Sequence, residues 1–204
     1  MGFLVLLIWL ERRVYEIRWH GRGGQGAVTA AVLLAEAAYL YEGYAGVAAA
    51  PSFGAERRGA PVSASTRIDS RPILRRSQVT HPDIVVVLDE TLIDVVDVTE
   101  GIKSGGAVVI NTANQQIGWR FAKKLRVGLA DASCAAQEMH LVVGGSVVVN
   151  TAILGTLCRT TGIVKIENIM QAIRDRFGDG AGDRNAQAAR MAYEQTVVHT
   201  PEGT

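Results

Sequence analysis

Hydrophobic and polar residues alternate from position 14 to position 20, where Tyr15, Ile17 and Trp19 are separated by charged or polar side chains. A period of two predicts a β-strand with one buried face. The stretch from about Gly26 to Tyr41 is rich in alanine and leucine, which are strong helix formers, and it predicts a helix. A strand, a glycine cluster and a helix therefore follow one another at the start of the chain.

The next hundred residues carry the pattern of further strands. The range 44–50 predicts a second strand ended by Pro51, and after a loop over 52–60 an extended stretch is predicted over 61–69. A short strand near 73–75 is predicted to pair with that stretch as a hairpin. These short segments, bounded by glycine and proline, indicate part of a sheet.

A continuous β-branched run over 83–89 is typical of a strand buried on both faces of a parallel sheet. A helix over about 90–102 and a strand over 107–111 are predicted to complete a βαβ unit. The remaining predictions are a strand over 125–130 and helices over 132–139, 147–159, 166–177 and about 186–198. The predicted fold class is α/β, with a Rossmann-like open, mostly parallel sheet, flanking helices and a helical C-terminal part.

The length of 204 residues predicts one domain over 14–204, preceded by an apolar extension over 1–13. The apolar residues of that extension are too few to span a membrane and lack the flanks of a signal peptide. An additional strand, a short helix docking on a partner and an overextended translation start all stay open for it.

Composition narrows the classes of function. A formal net charge of +1 provides no global basic field for a nucleic acid or an anionic membrane. A hydrophobic content of 48% indicates a surface covered by partner subunits. The only cysteines, Cys134 and Cys158, form no CxxC pair, so we expect two reduced, buried thiols and no metal site in this chain. Six arginines within 56–76 indicate either a solvated face or a patch for an anionic ligand or an acidic partner.

The glycine cluster consists of Gly21, Arg22, Gly23, Gly24, Gln25 and Gly26. Its GxGxxG spacing predicts a turn with positive φ angles whose free N–H groups and helix dipole face a phosphate or a carboxylate. A dinucleotide site also needs an acidic residue at the end of the second strand, about 20 positions further on. Glu42 precedes that strand and 47–50 holds no carboxylate, so NAD is disfavoured.

No other pattern supplies catalytic machinery. His20 is the histidine nearest the glycine cluster, but the four histidines lack metal spacing. A nucleophile elbow, HExxH and paired carboxylates are absent from the sequence, so no catalytic residue is predicted. Asn150 opens a helix and is predicted to cap the backbone of Ala152 or Ile153.

Four segments together resemble the gamma subunit, or gamma domain, of 2-oxoacid:ferredoxin oxidoreductases, with the pyruvate and 2-oxoisovalerate enzymes nearest. They are GRGGQGAVTAAVLLAEAA after the first strand, PSFGAERRGAPVSASTRI over 51–68, HPDIVVVLD over 81–89 and NTAILG over 150–155. The resemblance covers about 17–177 and leaves the apolar extension outside it. It identifies the glycine cluster as part of a subunit, which is a different role from a dinucleotide fingerprint.

The resemblance implies a cytoplasmic complex that oxidatively decarboxylates a 2-oxo acid with coenzyme A and reduces ferredoxin. It implies alpha, beta and delta partners that hold thiamine diphosphate, Mg²⁺ and [4Fe–4S] clusters, while this chain binds none of these alone. Pyruvate is the expected substrate, with 2-oxoisovalerate and 2-oxoglutarate as alternatives and a free-standing NAD-binding dehydrogenase as the rival class.

Two hypotheses for the site follow, and they are compatible. In the first, the glycine cluster meets a partner backbone or a carboxylate, with Arg22 and Gln25 as hydrogen-bond donors. In the second, Arg57 and Arg58 bind the phosphates of coenzyme A through their planar guanidinium groups. Ser52 and Phe53 either anchor the loop that carries these arginines, by backbone bonding and by ring burial, or only shape that loop.

Overall fold

The computed structural model describes residues 14–52, 59–74 and 77–201. The predicted extension over 1–13 and three predicted site residues, Phe53, Arg57 and Arg58, lie outside the described residues.

Nine strands and five α-helices make up the described part of the chain. The strands are β1 (Tyr15–Arg22), β2 (Gly46–Pro51), β3 (Pro61–Asp69), β4 (Ile84–Val87), β5 (Ala107–Asn111), β6 (Arg126–Ala130), β7 (Val142–Val143), β8 (Ser146–Val147) and β9 (Val197–His199). The helices are α1 (Ala27–Tyr41), α2 (Ala132–Glu138), α3 (Ala152–Thr161), α4 (Ile166–Phe177) and α5 (Ala181–Gln195), and two 3₁₀ helices span Glu90–Asp94 and Gln115–Arg120.

Seven strands form one sheet in the order β2-β3-β1-β4-β5-β6-β9, and β7 and β8 form a separate hairpin. Strands β1, β4, β5 and β6 are parallel neighbours, so that Ile17 lies opposite Ile84 and Ile84 opposite Ala107. Strand β3 is antiparallel to β1 and β2, and β9 is antiparallel to β6. Five strands therefore run in one direction, and the predicted α/β class with a mostly parallel sheet is confirmed.

Residues of β4 and β5 alternate between two hydrophobic cores, one on each face of the sheet. Ile17 and Trp19 of β1 pack with the buried alanines and leucines of α1 in the larger core. The smaller core, on the other face, contains Val85 and Val87 of β4 with Leu92. The indole N–H of Trp19 donates to the Thr66 hydroxyl at 2.9 Å, which satisfies a polar group inside the larger core.

The predicted helix over 90–102 is wrong. Only the single 3₁₀ turn Glu90–Asp94 forms, and turns follow it up to position 101. The segment is rich in β-branched residues, which lose side-chain freedom in a helix. Asp97 also accepts hydrogen bonds from the backbone N–H and the hydroxyl of Thr99, at 3.0 and 2.9 Å, and such local bonds compete with helix formation.

Three other boundaries or pairings differ from prediction. The predicted hairpin is wrong, because β3 already has β1 and β2 on its two sides and 73–74 is not a strand. The helix predicted over 147–159 begins only at Ala152, after β8. The last helix ends at Gln195, because the β-branched Val197 and Val198 join the sheet edge beside β6.

No helix in the described ranges is long and apolar enough to cross a membrane.

Candidate functional site

The glycine cluster lies where the parallel strands end and α1 begins, but its glycines have roles that differ from the predicted ones. Strand β1 continues to Arg22, so Gly21 is a strand residue. A Cβ at Gly21 would lie 3.3 Å from the Cβ of Ala27, so this glycine allows α1 to pack closely on the strand. The positive φ angles belong to Gly24, at 98°, and Gly26, at 81°. The turn itself is therefore made by the second half of the cluster.

The polar side chains of the cluster bind a carboxylate of this same chain. Asp89, which follows β4, accepts from Arg22 Nε at 3.1 Å and from Gln25 Nε2 at 2.9 Å. Gln25 Oε1 in turn accepts from the Arg22 backbone N–H at 2.7 Å. Arg22 and Gln25 were expected to meet a partner or a carboxylate, and in this structure the carboxylate is that of Asp89.

Asp89 is held in its ionised form by this arrangement. Partial burial alone would raise the pKa of its carboxyl, but hydrogen bonds from Thr91 and Gln25 and the charge of Arg22 outweigh burial, and the pKa lies below its ordinary value. In open α/β sheets, ligands bind at the carboxyl edge where the strand order reverses, which here is between β1 and β4. The side chains of Arg22 and Gln25 extend across this point to Asp89.

The glycine cluster also holds one end of the loop with the predicted site arginines. The Gly23 backbone N–H donates to the Ala60 carbonyl at 2.9 Å, and the Gly59 N–H donates to the Gly23 carbonyl at 3.1 Å. At the other end, the Ser52 N–H donates to the Ser63 carbonyl at 2.8 Å. Six residues link Ser52 to Gly59, so the two predicted motifs belong to one structural unit.

Asn150 lies beside the glycine cluster, and its predicted role as a cap of Ala152 or Ile153 is wrong. Its Oδ1 accepts instead from the N–H of the adjacent Thr151, at 2.8 Å, and Thr151 is the N-terminal cap residue of α3. Asn150 is buried against Gly26, where a Cβ would lie 2.6 Å from Asn150 Nδ2. Glycine is therefore required at position 26 both by φ and by space.

The other face of β1 borders a cavity of about 650 Å³, whose lining includes Arg18, His20, Ser63 and Gln78. Burial of the His20 imidazole, together with the nearby Arg18 charge, lowers its pKa to about 4, so the ring is neutral at pH 7. Its Nε2 accepts from Arg18 Nε at 3.1 Å. His20 is therefore a hydrogen-bonded structural residue in this arrangement.

Neither Asp89 nor Asn150 is predicted from the sequence to belong to the site. Asp89 could have been found from strand order, because parallel neighbours end at the same edge and Asp89 follows the strand next to β1. Asn150 comes from a distant part of the chain and leaves no such signal.

Of the two cysteines predicted to be buried, Cys158 is buried but Cys134 is exposed on α2. Among the described residues, no group of three or more His, Cys, Asp or Glu side chains could hold a metal ion.

The fold and this edge of the sheet define an α/β domain whose glycine turn is bonded to Asp89, just after the neighbouring strand β4. The family model described as pyruvate ferredoxin/flavodoxin oxidoreductase matches residues 16–195, and the chain belongs to this family. It is therefore a subunit of a 2-oxoacid:ferredoxin oxidoreductase, and the resemblance found in the sequence is confirmed.

Two curated relatives and one solved structure illustrate the similarity. The chain is 52% identical to the pyruvate/ketoisovalerate oxidoreductases common subunit gamma of Thermococcus litoralis, over 90% of this chain and 98% of that protein. It is 49% identical to pyruvate synthase subunit PorC of Methanothermobacter marburgensis, over 88% and 96%. The structure of pyruvate oxidoreductase subunit PORC from Thermotoga maritima aligns with a TM-score of 0.75 at 38% identity, over 91% and 98%.

Proposed function

We propose that this chain is the gamma subunit of a pyruvate:ferredoxin oxidoreductase, which converts pyruvate, coenzyme A and oxidised ferredoxin to acetyl-CoA, CO₂ and reduced ferredoxin. The observation that carries the proposal is the identity of about 50%, over nearly full length, to subunits whose names specify pyruvate. The name of the Thermococcus litoralis relative also includes ketoisovalerate, so a branched 2-oxo acid is the second candidate substrate. A 2-oxoglutarate enzyme is a third candidate.

In this proposal the subunit is accessory and the chemistry belongs to its partners. Alpha, beta and delta subunits would supply thiamine diphosphate, Mg²⁺ and the [4Fe–4S] clusters, and ferredoxin would dock on the complex. The range 14–204 would form the gamma domain, with 1–13 as an appended extension. The cytoplasm is the proposed location, because reduced thiols such as Cys134 and Cys158 suit that compartment.

The test is to co-express the chain with the subunits encoded beside its gene and to purify the assembly through a tag on this chain. We expect co-purification of larger partners and reduction of ferredoxin that depends on coenzyme A. Turnover should be fastest with pyruvate when pyruvate, 2-oxoisovalerate and 2-oxoglutarate are compared. Faster turnover of another acid would overturn the substrate assignment, and failure to co-purify would overturn the subunit assignment.

We further propose that the loop after Ser52 shapes the approach of coenzyme A, with Arg57 and Arg58 binding its phosphates and with Ser52 and Phe53 anchoring the loop. Support comes from the glycine cluster, which fixes Gly59 and Ala60 at the carboxyl edge of the sheet. In this role the glycine cluster, from Gly21 to Gly26, would position the loop. Guanidinium groups suit phosphate oxygens through paired hydrogen bonds.

The double variant Arg57→Ala/Arg58→Ala should raise the KM for coenzyme A about tenfold or more in the assembled enzyme, since each lost contact to a charged group weakens binding by at least ~1.5 kcal/mol. The matched control, Arg126→Ala/Arg184→Ala, removes the same charge from exposed positions elsewhere and should leave this KM unchanged. An unchanged KM with impaired assembly in the loop variant would assign these arginines to a subunit interface.

A further inference from the structure

We propose that the cavity beside Arg18 and His20 binds an organic monocarboxylate of metabolite size, with the Arg18 guanidinium as the anchor of the carboxylate group. The apolar body of the ligand would lie on aliphatic side chains of the cavity wall. The cavity is on the face of β1 opposite to Ile17 and Trp19, which pack with α1. This inference does not rest on the proposed function.

The cavity exists because one part of this face of the sheet has no hydrophobic core. Sheets built from parallel strands are ordinarily covered on both faces. The smaller core covers β4, β5 and β6 and contains no described residue of β1, β2 or β3. Strands β1 and β3, with residues 78–81 and 92–101, enclose a space of about 650 Å³ beside it. This volume lies within the range of small-molecule sites, about 300–1,000 Å³.

Arg18 is the residue that indicates an anionic ligand. Its Nε donates to His20 Nε2 at 3.1 Å, and its Nη2 donates to the carbonyls of Val98 and Glu100. These partners fix the guanidinium without neutralising its charge, because the His20 ring is uncharged at pH 7. Among the residues that the structure describes, no carboxylate forms an ion pair with Arg18 and no acceptor bonds Nη1. Two N–H groups of a fixed cation are therefore available to a ligand.

The rest of the lining suits a carboxylate that carries an apolar body. Ser63 lies opposite His20 in the pairing of β3 with β1, and its hydroxyl has no hydrogen-bond partner in the described part of the chain. Val79, Leu92 and Val96 supply aliphatic wall. Small-molecule sites typically combine such apolar walls with a few polar groups that orient the ligand.

The charges of the lining favour a monoanion over a dianion. Arg18 is the one arginine or lysine among the described lining residues, whereas the acids Asp97 and Glu100 lie at exposed positions. Water and salt screen exposed charges, so these acids weaken but do not cancel the attraction of Arg18 for a carboxylate in contact with it. A phosphate dianion would double the repulsion without a second cation to offset it. A carboxylate is therefore the head group that fits.

The experiment titrates the full-length purified chain with 3-phenylpropanoate and follows the backbone amides and the Arg18 Nε–H group by ¹H–¹⁵N NMR. The uncharged probe of the same shape is 3-phenylpropanamide. We expect saturable shifts at Arg18, Ser63 and Val96, with binding of the amide at least about tenfold weaker because a hydrogen bond between two charged groups is lost. Equal binding of the two probes, an unshifted Arg18 Nε–H group, or shifts confined to other residues would overturn the proposal.

The variant Ser63→Leu fills part of the cavity and removes its hydroxyl, and it should weaken binding of 3-phenylpropanoate at least about tenfold. The control Ser65→Leu adds the same volume two residues further along the same face of β3, at a position outside the lining, and should bind as the unaltered chain does. Equal weakening by both variants would contradict the location of the site. The titration of the unaltered chain decides the proposal if Ser63→Leu does not fold.

Co-purification with partner subunits, measured separately, distinguishes this inference from the proposed function. If the chain assembles and the enzyme turns over while 3-phenylpropanoate shifts no amide of the lining, the inference fails and the proposed function stands. If the acid shifts those amides but the chain recruits no partners, the site stands and the proposed function fails.

Discussion

The connections that leave the neighbouring strands β1 and β4 at one edge of the sheet are built in different ways. After β1, a four-residue turn leads directly into the 15-residue helix α1. After β4, a 3₁₀ turn and irregular backbone lead to β5. Alanine, leucine and glycine determine the first connection locally, whereas side chains from β1 hold the second in place.

Strand β1 contributes to both connections through its alternating side chains. Ile17 and Trp19 face the larger core with α1. On the other side, Arg18 Nη2 donates to the carbonyls of Val98 and Glu100, at 3.0 and 2.5 Å. One alternating strand thus supports a helix by apolar burial and an irregular segment by hydrogen bonds to backbone carbonyls.

The largest expected loss of stability comes from a substitution at Gly26, in the first connection. Gly26→Ala should destabilise the chain by about 4 kcal/mol, because strain at a positive φ and overpacking against Asn150 each cost ~1–3 kcal/mol. Gly24→Ala is the matched control, since its φ is also positive but its Cβ would meet open space, and it should cost only ~1 kcal/mol. Urea unfolding measures both. Equal losses would show that packing against Asn150 is unimportant.

The second connection should respond to pH through His20. The pKa of His20 in the folded chain, about 4, lies below the ordinary value of 6.5, so its contribution to stability is complete above about pH 6.5 and declines as pH falls towards 4. From pH 7 to 4.5 this loss should reach about 2.5 kcal/mol. Urea unfolding of His20→Gln should show a correspondingly shallower pH dependence than the unaltered chain. If the free energy of unfolding depends on pH in the same way in both proteins, at low and at high salt, His20 is not the group responsible.

A smaller effect on stability is expected from the ion pair that joins the two connections, Arg22 with Asp89. A double-mutant cycle on Arg22→Ala and Asp89→Ala should give a coupling free energy of about 1 kcal/mol, because both side chains are partly buried. The exposed pair Arg120 and Asp94, at 2.9 Å, is the control and should give ~0.3 kcal/mol or less. The measurement is the free energy of unfolding in urea. A coupling for the first pair no larger than that of the control would mean that Asp89 does not fasten the turn.

The sequence predicts most of the sheet because its signals there are local. Three elements can be predicted from their own residues alone. They are β1 from its alternation, β4 from its apolar run and α1 from its alanine content. The segment after Asp89 has helix-compatible spacing, but β-branched residues and the Asp97 turn prevent a helix. Its bonds to Arg18 join residues 80 and 82 positions apart. The candidate site was predicted in part for the same reason. The glycine cluster is visible in the sequence, whereas Asn150 reaches it only through tertiary packing.

The glycine cluster of this subunit is not expected to bind a dinucleotide, since Arg22 and Gln25 bind the chain's own Asp89 across the switch point of the sheet. Isothermal titration of the full-length chain with NAD⁺ and NADH tests it most directly. We expect no saturable binding of either nucleotide up to millimolar concentration. Binding at micromolar concentration, with shifts in the amides of 21–26, would contradict it and would support a dinucleotide-binding dehydrogenase.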